Sequence, residues 1–216
     1  LWSMANDGGL QALVVGWLNT WPAQPIDGAM VAPYVALGQK KQTSIKGKIY
    51  KGENQQTFPK SLFRDVKDFV YAADDVPKER ISKLANIPPR NSKLFKKIPN
   101  LRRYLYTLRW SIASTLTNTT ILEYLLKKHP EASLAMSYFD GSDTLAHRFW
   151  LLRQPIEEIK ARLKGHRLDP RMAEELKRRF GSTLDSYYEL LDEMVGRIQR
   201  AAGPQATIVL VSDHGW

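Results

Sequence analysis

A six-residue, mostly apolar run at residues 206–211 is followed directly by Ser212, Asp213, His214 and Gly215. β-Branched residues are frequent in this run, which predicts a buried strand over residues 207–212. An Asp–His pair at a strand end, with a glycine behind it where the chain can turn, directs two metal-ligand side chains toward one point. The pattern therefore favours a sheet that presents metal ligands at one edge.

A second Asp–His pair follows a second apolar segment. Residues 132–139 predict another strand, and Asp143 and His147 come after it at i, i+4. If a helix begins near Ser142, whose hydroxyl can cap it, the two side chains share one helical face. We interpret the nearby Asp140 as a hydrogen-bond acceptor in the turn rather than as a ligand.

Two further segments complete a predicted core. Residues 12–17 read as an apolar strand, and residues 183–201 have helical periodicity. Strands this apolar are typical of parallel sheets covered by helices on both faces, so the sequence predicts the α/β class with a mostly parallel sheet. Ligands of such sheets bind beyond the carboxyl ends of the strands, and both Asp–His pairs follow strands.

The positive charge of the chain is concentrated in its middle. Residues 40–109 hold 18 Lys and Arg against six Asp and Glu, whereas the whole chain carries a net charge of +10. Amphipathic patterns at 61–72, 78–85 and 101–128 are separated by proline-containing connectors. We therefore predict a first core segment at 1–37, a basic, mainly helical insert or cap at 38–130, and a second core segment at 131–216.

Composition removes several other possibilities. The chain has no cysteine, which excludes disulfides, thiolate metal sites and a cysteine nucleophile. A metal site would thus need His and carboxylate ligands. No apolar run approaches the ~18 residues that a transmembrane helix requires.

The two Asp–His motifs carry a family resemblance. Asp143-x-x-x-His147-Arg148-Phe149-Trp150 and Ser212-Asp213-His214-Gly215 resemble two metal-binding motifs of the alkaline phosphatase superfamily, in its type I phosphodiesterase/nucleotide pyrophosphatase branch. Residues 13–22 with Ile26-Asp27-Gly28, and Tyr187-Tyr188-x-x-Leu191-Asp192, are similar to further segments of bacterial members. The resemblance covers residues 1–37 and 131–216 and implies an alkaline-phosphatase-like core.

The resemblance also implies a chemistry. Family members hold two divalent ions, and the matched motifs assign Asp143 and His147 to one ion and Asp213 and His214 to the other. His and carboxylate ligands favour Zn²⁺, with Mn²⁺ as the alternative. Two such ions lie roughly 4 Å apart, so the four side chains are expected to converge within about 8 Å.

No residue of this chain matches the family's Thr or Ser nucleophile, a further Asp ligand or a further His ligand. Thr20 lies in a segment that resembles a later family loop, and we interpret it as structural. We therefore expect no catalytic nucleophile in residues 1–216. We also expect that these residues are an internal piece, truncated at both ends, and that this piece alone has negligible activity.

The sequence thus predicts a metal-dependent phosphohydrolase of the phosphodiesterase/nucleotide pyrophosphatase type that acts on a small phosphoester. The alternative is a non-enzymatic module that binds an anion or a nucleic acid through the basic middle segment. We do not expect a nucleic-acid partner, because the basic stretch has too few interleaved aromatic residues for stacking. Localisation, membrane contacts and oligomeric state are not assigned.

Overall fold

The computed structural model of the protein describes residues 1–33, 44–45, 48–49, 55–98, 100–164 and 169–215. Its strands are β1 (Ala12–Val15), β2 (Gly28–Val31), β3 (Ser44–Ile45), β4 (Lys48–Ile49), β5 (Thr57–Phe58) and β6 (Leu134–Ser137). Its helices are α1 (Trp2–Asp7), α2 (Leu62–Val66), α3 (Lys78–Leu84), α4 (Lys93–Lys97), α5 (Leu101–Lys128), α6 (Gly141–Arg153), α7 (Ile156–Lys164), α8 (Pro170–Phe180) and α9 (Thr183–Ala202). No helix within these ranges is both long enough and apolar enough to cross a membrane.

The chain divides into two compact units. The first comprises Leu1–Ala72, Ala113–Phe139 and Glu193–Gly215, and the second comprises Ala73–Ile112 and Asp140–Asp192. Helices α5 and α9 contribute residues to both units. These divisions differ from the boundaries at 37/38 and 130/131 that the sequence suggests, and the core-and-insert organisation stays a prediction.

The first unit is built on a four-stranded sheet in the order β5–β2–β1–β6. Strand β1 runs parallel to β2 and β6, with Ala12 opposite Gly28 on one side and Leu134 on the other. Strand β5 lies antiparallel to β2, so the sheet is mixed. The predicted strands at 12–17 and 132–139 are confirmed as β1 and β6, whereas β2 was not predicted.

One face of this sheet packs against helices. Leu13 and Val15 of β1 and Ala29 and Val31 of β2 belong to a buried apolar cluster. The helical members of the cluster are Leu62 and Val66 of α2 and Ile121, Leu122 and Leu125 of α5. Full burial of such a side chain stabilises the fold by about 1.5–3 kcal/mol, so this cluster holds the sheet and both helices together.

The second unit is helical where the structure describes it and has an aromatic core. The Phe149 ring of α6 lies 5.9 Å from the Phe180 ring of α8 and 6.5 Å from the Tyr104 ring of α5. Helix α8 begins with Pro170 after Asp169, whose carboxylate accepts a hydrogen bond from the Arg171 backbone N–H. The cap and the proline fix where this helix begins.

The basic middle of the sequence contains several of the helices that its pattern predicts. The patterns at 61–72 and 78–85 appear as α2 with the 3₁₀ turn Lys67–Phe69, and as α3. The predictions at 101–128 and 183–201 are confirmed as α5 and α9. Residues 38–43, 46–47, 50–54 and 99 of the predicted insert lie outside the described residues, as do residues 34–37 of the predicted first core segment.

The strand predicted at residues 207–212 is wrong for this structure. The segment has no regular secondary structure and belongs to no described sheet, and Val209, Leu210 and Val211 are 73%, 74% and 87% exposed. A β-branched pattern favours an extended backbone, but a strand also needs a neighbouring edge with which to form hydrogen bonds. The third of the predicted strands is therefore missing from the described sheet, in which β2 is the third parallel strand.

Candidate metal centre

Helix α6 brings Asp143 and His147 together. The helix begins four residues after β6 ends, which places Asp143 in its first turn and His147 one turn later. The His147 Nε2 atom lies 3.4 Å from Asp143 Oδ1, and the two side chains are 62% and 41% exposed. The predicted pairing on one helical face is thus present in the structure.

The separation of these two atoms suits a shared divalent ion. Two ligands about 2.0–2.1 Å from one Zn²⁺, at a tetrahedral angle, lie roughly 3.4 Å from each other. The observed Nε2–Oδ1 distance has this value. A neutral imidazole and a carboxylate are also ligand types that Zn²⁺ accepts, so this pair fits the metal in both geometry and chemistry.

The start of α6 is fixed by close packing at Gly141. A Cβ atom on this buried residue would lie 1.8 Å from the Tyr187 hydroxyl oxygen and 3.1 Å from Ser111 Cβ. Tyr187 is itself buried, so its ring cannot easily move aside. The N-terminus of α6 can therefore sit against α5 and α9 only because residue 141 has no side chain.

Asp140, rather than Ser142, stands at the N-cap of α6. Its backbone is in the right-handed helical region, and its carboxylate does not cap the helix. Burial raises the pKa of Asp140 to about 6; a backbone hydrogen bond opposes this, and the negative charge of Asp143 adds to it. The predicted cap at Ser142 is wrong, because the N-cap position lies two residues earlier, at Asp140.

Asp213 and His214 lie in the exposed segment that follows α9. The Ser212 hydroxyl donates to the His214 carbonyl at 2.6 Å, and His214 Nδ1 lies 3.1 Å from the Gly215 carbonyl oxygen. Both side chains are exposed. This pair belongs to the first unit and the Asp143–His147 pair to the second, and the predicted convergence of the four side chains stays a prediction.

The described residues contain no cluster of three or more His, Cys, Asp or Glu side chains arranged to hold a metal ion. The Asp143–His147 pair offers two ligands, and a stable site requires more. Thr20 is buried, and its hydroxyl donates to the Trp17 carbonyl at 2.6 Å, which supports its structural interpretation.

A buried amide at the carboxyl ends of β1 and β6 escaped the sequence analysis. Asn118 of α5 is buried, and its Nδ2 donates to the Tyr138 carbonyl at 3.2 Å. It also lies over Gly16, which follows β1 with φ +68°; a Cβ on Gly16 would be 2.3 Å from Asn118 Nδ2. Asn118 thus links the segments that leave the two strands.

The signal for this amide was present in the sequence. Helix α5 carries an unusual number of buried polar residues for an otherwise apolar stretch: Ser111, Ser114, Thr115, Thr117, Asn118 and Thr119. Buried polar groups generally need partners, so such a band indicates a neighbouring polar backbone. Two members meet such a backbone: Asn118 donates to the Tyr138 carbonyl just beyond β6, and the Thr117 hydroxyl accepts from the Tyr71 N–H.

A comparison of the sequence with models of known protein families identifies one family. The sequence model of the type I phosphodiesterase/nucleotide pyrophosphatase family matches residues 1–216. The chain belongs to this family, whose members are hydrolases that act on phosphoester bonds and are generally metal-dependent. Searches of curated proteins and of solved structures gave no match. The predicted family resemblance is thereby confirmed, whereas the metal-binding role of the two Asp–His motifs stays a prediction.

Proposed function

We propose that the protein hydrolyses a small phosphoester at a site with two divalent metal ions, on an alkaline-phosphatase-like core. The observation that best supports this proposal is the Asp143–His147 pair, whose ligand atoms are separated as two ligands of one ion would be. Family membership supports the reaction class. The preferred ions are Zn²⁺, with Mn²⁺ as the alternative.

The residues of this chain have separate tasks in the proposed site. Asp143 and His147 hold one ion, and Asp213 and His214 hold the other. Bound ions would stabilise the charge that develops on the phosphoryl oxygens and lower the pKa of the attacking group. The nucleophile would be a Thr or Ser that we place outside residues 1–216, because no residue of the chain matches it.

One local change is needed for the second pair to join such a site. Within the described residues, β6 is the last strand of the sheet, so it presents an edge to which another strand can add. Residues 207–212 have the β-branched composition of a strand and lie exposed in the same unit. We propose that they add parallel to β6, which brings Asp213 and His214 to the carboxyl edge of the sheet.

The test is phosphodiester hydrolysis by the intact enzyme, using an aryl phosphodiester before and after chelation. His147→Ala and Asp213→Ala each remove a ligand and leave an ion under-coordinated. We expect kcat/KM to fall on the order of 100-fold or more in each variant, and addition of Zn²⁺ to restore activity after chelation only in the wild type.

His129→Ala is the matched control. His129 is also a histidine near a carboxylate, with Nδ1 3.2 Å from Glu131 Oε1, but it lies at the end of α5 and has no proposed role in the site. We expect its activity to equal that of the wild type. Hydrolysis that survives chelation, or that survives loss of either ligand, would contradict the two-metal proposal.

A further inference from the structure

Helix α4 and the first turn of α5 carry a compact group of basic side chains. Lys93, Lys96, Lys97, Arg102 and Arg103 are all exposed, and we call them the α4–α5 basic strip. The two segments are joined in space because the Arg102 guanidinium lies over the Phe95 ring, 5.0 Å from its centroid. Leu94, Leu101 and Leu105 are buried beneath them and anchor the strip to the second unit.

Among the described residues, no carboxylate pairs with the positive charges of the strip. The sequence contains no Asp or Glu between Glu79 and Glu123. In the described part of the chain, none of the five side chains forms an ion pair with a carboxylate, whereas Arg153, Arg179 and Lys128 each do. Folding therefore leaves five adjacent positive charges facing solvent, which is typical of a surface that meets a polyanion.

The aromatic residues at the strip distinguish between kinds of polyanion. One face of Phe95 is covered by Arg102, so that face cannot stack on a nucleic-acid base. Tyr106, one turn after Arg102, is 49% exposed, but one aromatic ring does not form a stacking platform. A tyrosine on the same helical face as basic side chains, here Arg102 and Arg103, instead suits the headgroup layer of a bilayer.

We propose that the α4–α5 basic strip binds the surface of an anionic lipid bilayer. Lys93, Lys96 and Lys97 are flexible point charges that contact headgroup phosphates without a fixed geometry. Tyr106 adds an amphipathic ring at the same surface. The inference does not depend on the proposed metal centre, because none of these residues is a ligand in it.

The test is sedimentation of the intact protein with vesicles of phosphatidylcholine containing about one-third phosphatidylglycerol. The triple variant Lys93→Gln/Lys96→Gln/Lys97→Gln removes three charges from exposed positions, so the fold should persist, and circular dichroism checks this. We expect the partition coefficient to fall on the order of 100-fold, with little binding of either protein to pure phosphatidylcholine.

The control variant Lys60→Gln/Lys67→Gln/Lys127→Gln removes the same charge from exposed positions of the first unit. It should retain most of the binding to anionic vesicles. An equal loss in both triple variants would show that net charge alone attracts the protein and would overturn the proposal. The proposal would also be overturned if the strip variant kept its binding to vesicles but no longer bound a duplex oligonucleotide. That result would assign the strip to nucleic acid.

Discussion

The carboxyl group of Asp140 makes the stability of the protein depend on pH. Burial raises its pKa to about 6, above the ~3.9 expected in the unfolded chain, so the folded state holds the proton more tightly. Asp140 therefore contributes stability that is fully present below about pH 4 and is lost as the pH rises through about 6. The loss amounts to at most about 3 kcal/mol, since one pKa unit corresponds to about 1.4 kcal/mol.

Asp140→Asn should flatten this profile, because the amide stays uncharged throughout. We expect the variant to exceed the wild type in stability above pH 6 and to match it near pH 4, measured by urea unfolding of the metal-free protein. Asp68→Asn, at an exposed position of the 3₁₀ turn, is the control. If the free energy of unfolding changed with pH in the same way in the wild type and in Asp140→Asn, Asp140 would not be responsible for the pH dependence.

Two glycines in helices should respond to alanine in opposite ways. At Gly141 a Cβ would collide with the buried Tyr187 hydroxyl, so Gly141→Ala should destabilise the protein by about 1–3 kcal/mol through overpacking. At Gly196 of α9 the nearest atom is Arg200 Nη1 at an ordinary 3.4 Å. Gly196→Ala should be neutral or stabilise by about 0.4–1 kcal/mol.

Urea unfolding of both glycine variants separates packing from backbone effects, since both substitutions add one methyl group to a helix. Equal stability changes would mean that the Tyr187 ring moves aside at Gly141. In that case the position of α6, and with it the Asp143 carboxylate, would not depend on this contact.

At the scale of elements, long helices were easier to predict than short strands. Helices α5 and α9 have 28 and 20 residues, enough for the apolar periodicity to repeat several times. Strand β2 was missed although β1 and β6 are equally short, because it begins at Gly28, a residue that is unfavourable in strands. Residues 207–212 have a clear strand pattern but no partner edge in the structure, and pairing is not a property of one segment.

The candidate site could be predicted only for residues that lie close together in the sequence. Spacing i, i+4 fixes the direction of Asp143 and His147 relative to each other once a helix exists, and the 3.4 Å separation bears this out. The contact of Asn118 with Tyr138 joins residues 20 positions apart, which no short motif records. Whether Asp213 and His214 lie near Asp143 and His147 depends on the order of the strands in the sheet. A local sequence pattern does not determine that order.

At the scale of the whole molecule, the proposed site would unite two segments about 70 residues apart in sequence. Apolar area provides a driving force for this assembly. Val209, Leu210 and Val211 are mostly exposed, and each aliphatic side chain gains about 1.5–3 kcal/mol on full burial. Metal ligation by the adjacent Asp213 and His214 would favour the same rearrangement, so strand addition and metal binding should be coupled.

Hydrogen exchange can detect this coupling in the intact enzyme. Alternate backbone amides within residues 208–211 should exchange slowly when metal is bound, because these are the amides that donate to β6, and rapidly after chelation. In the Asp213→Ala variant the same amides should exchange rapidly both with and without metal. The amides of α5 should remain protected in every case. Rapid exchange in a fully active, metal-loaded enzyme would show that residues 207–212 do not join the sheet. Strand addition to β6 would then be excluded as the way in which Asp213 and His214 reach the second ion.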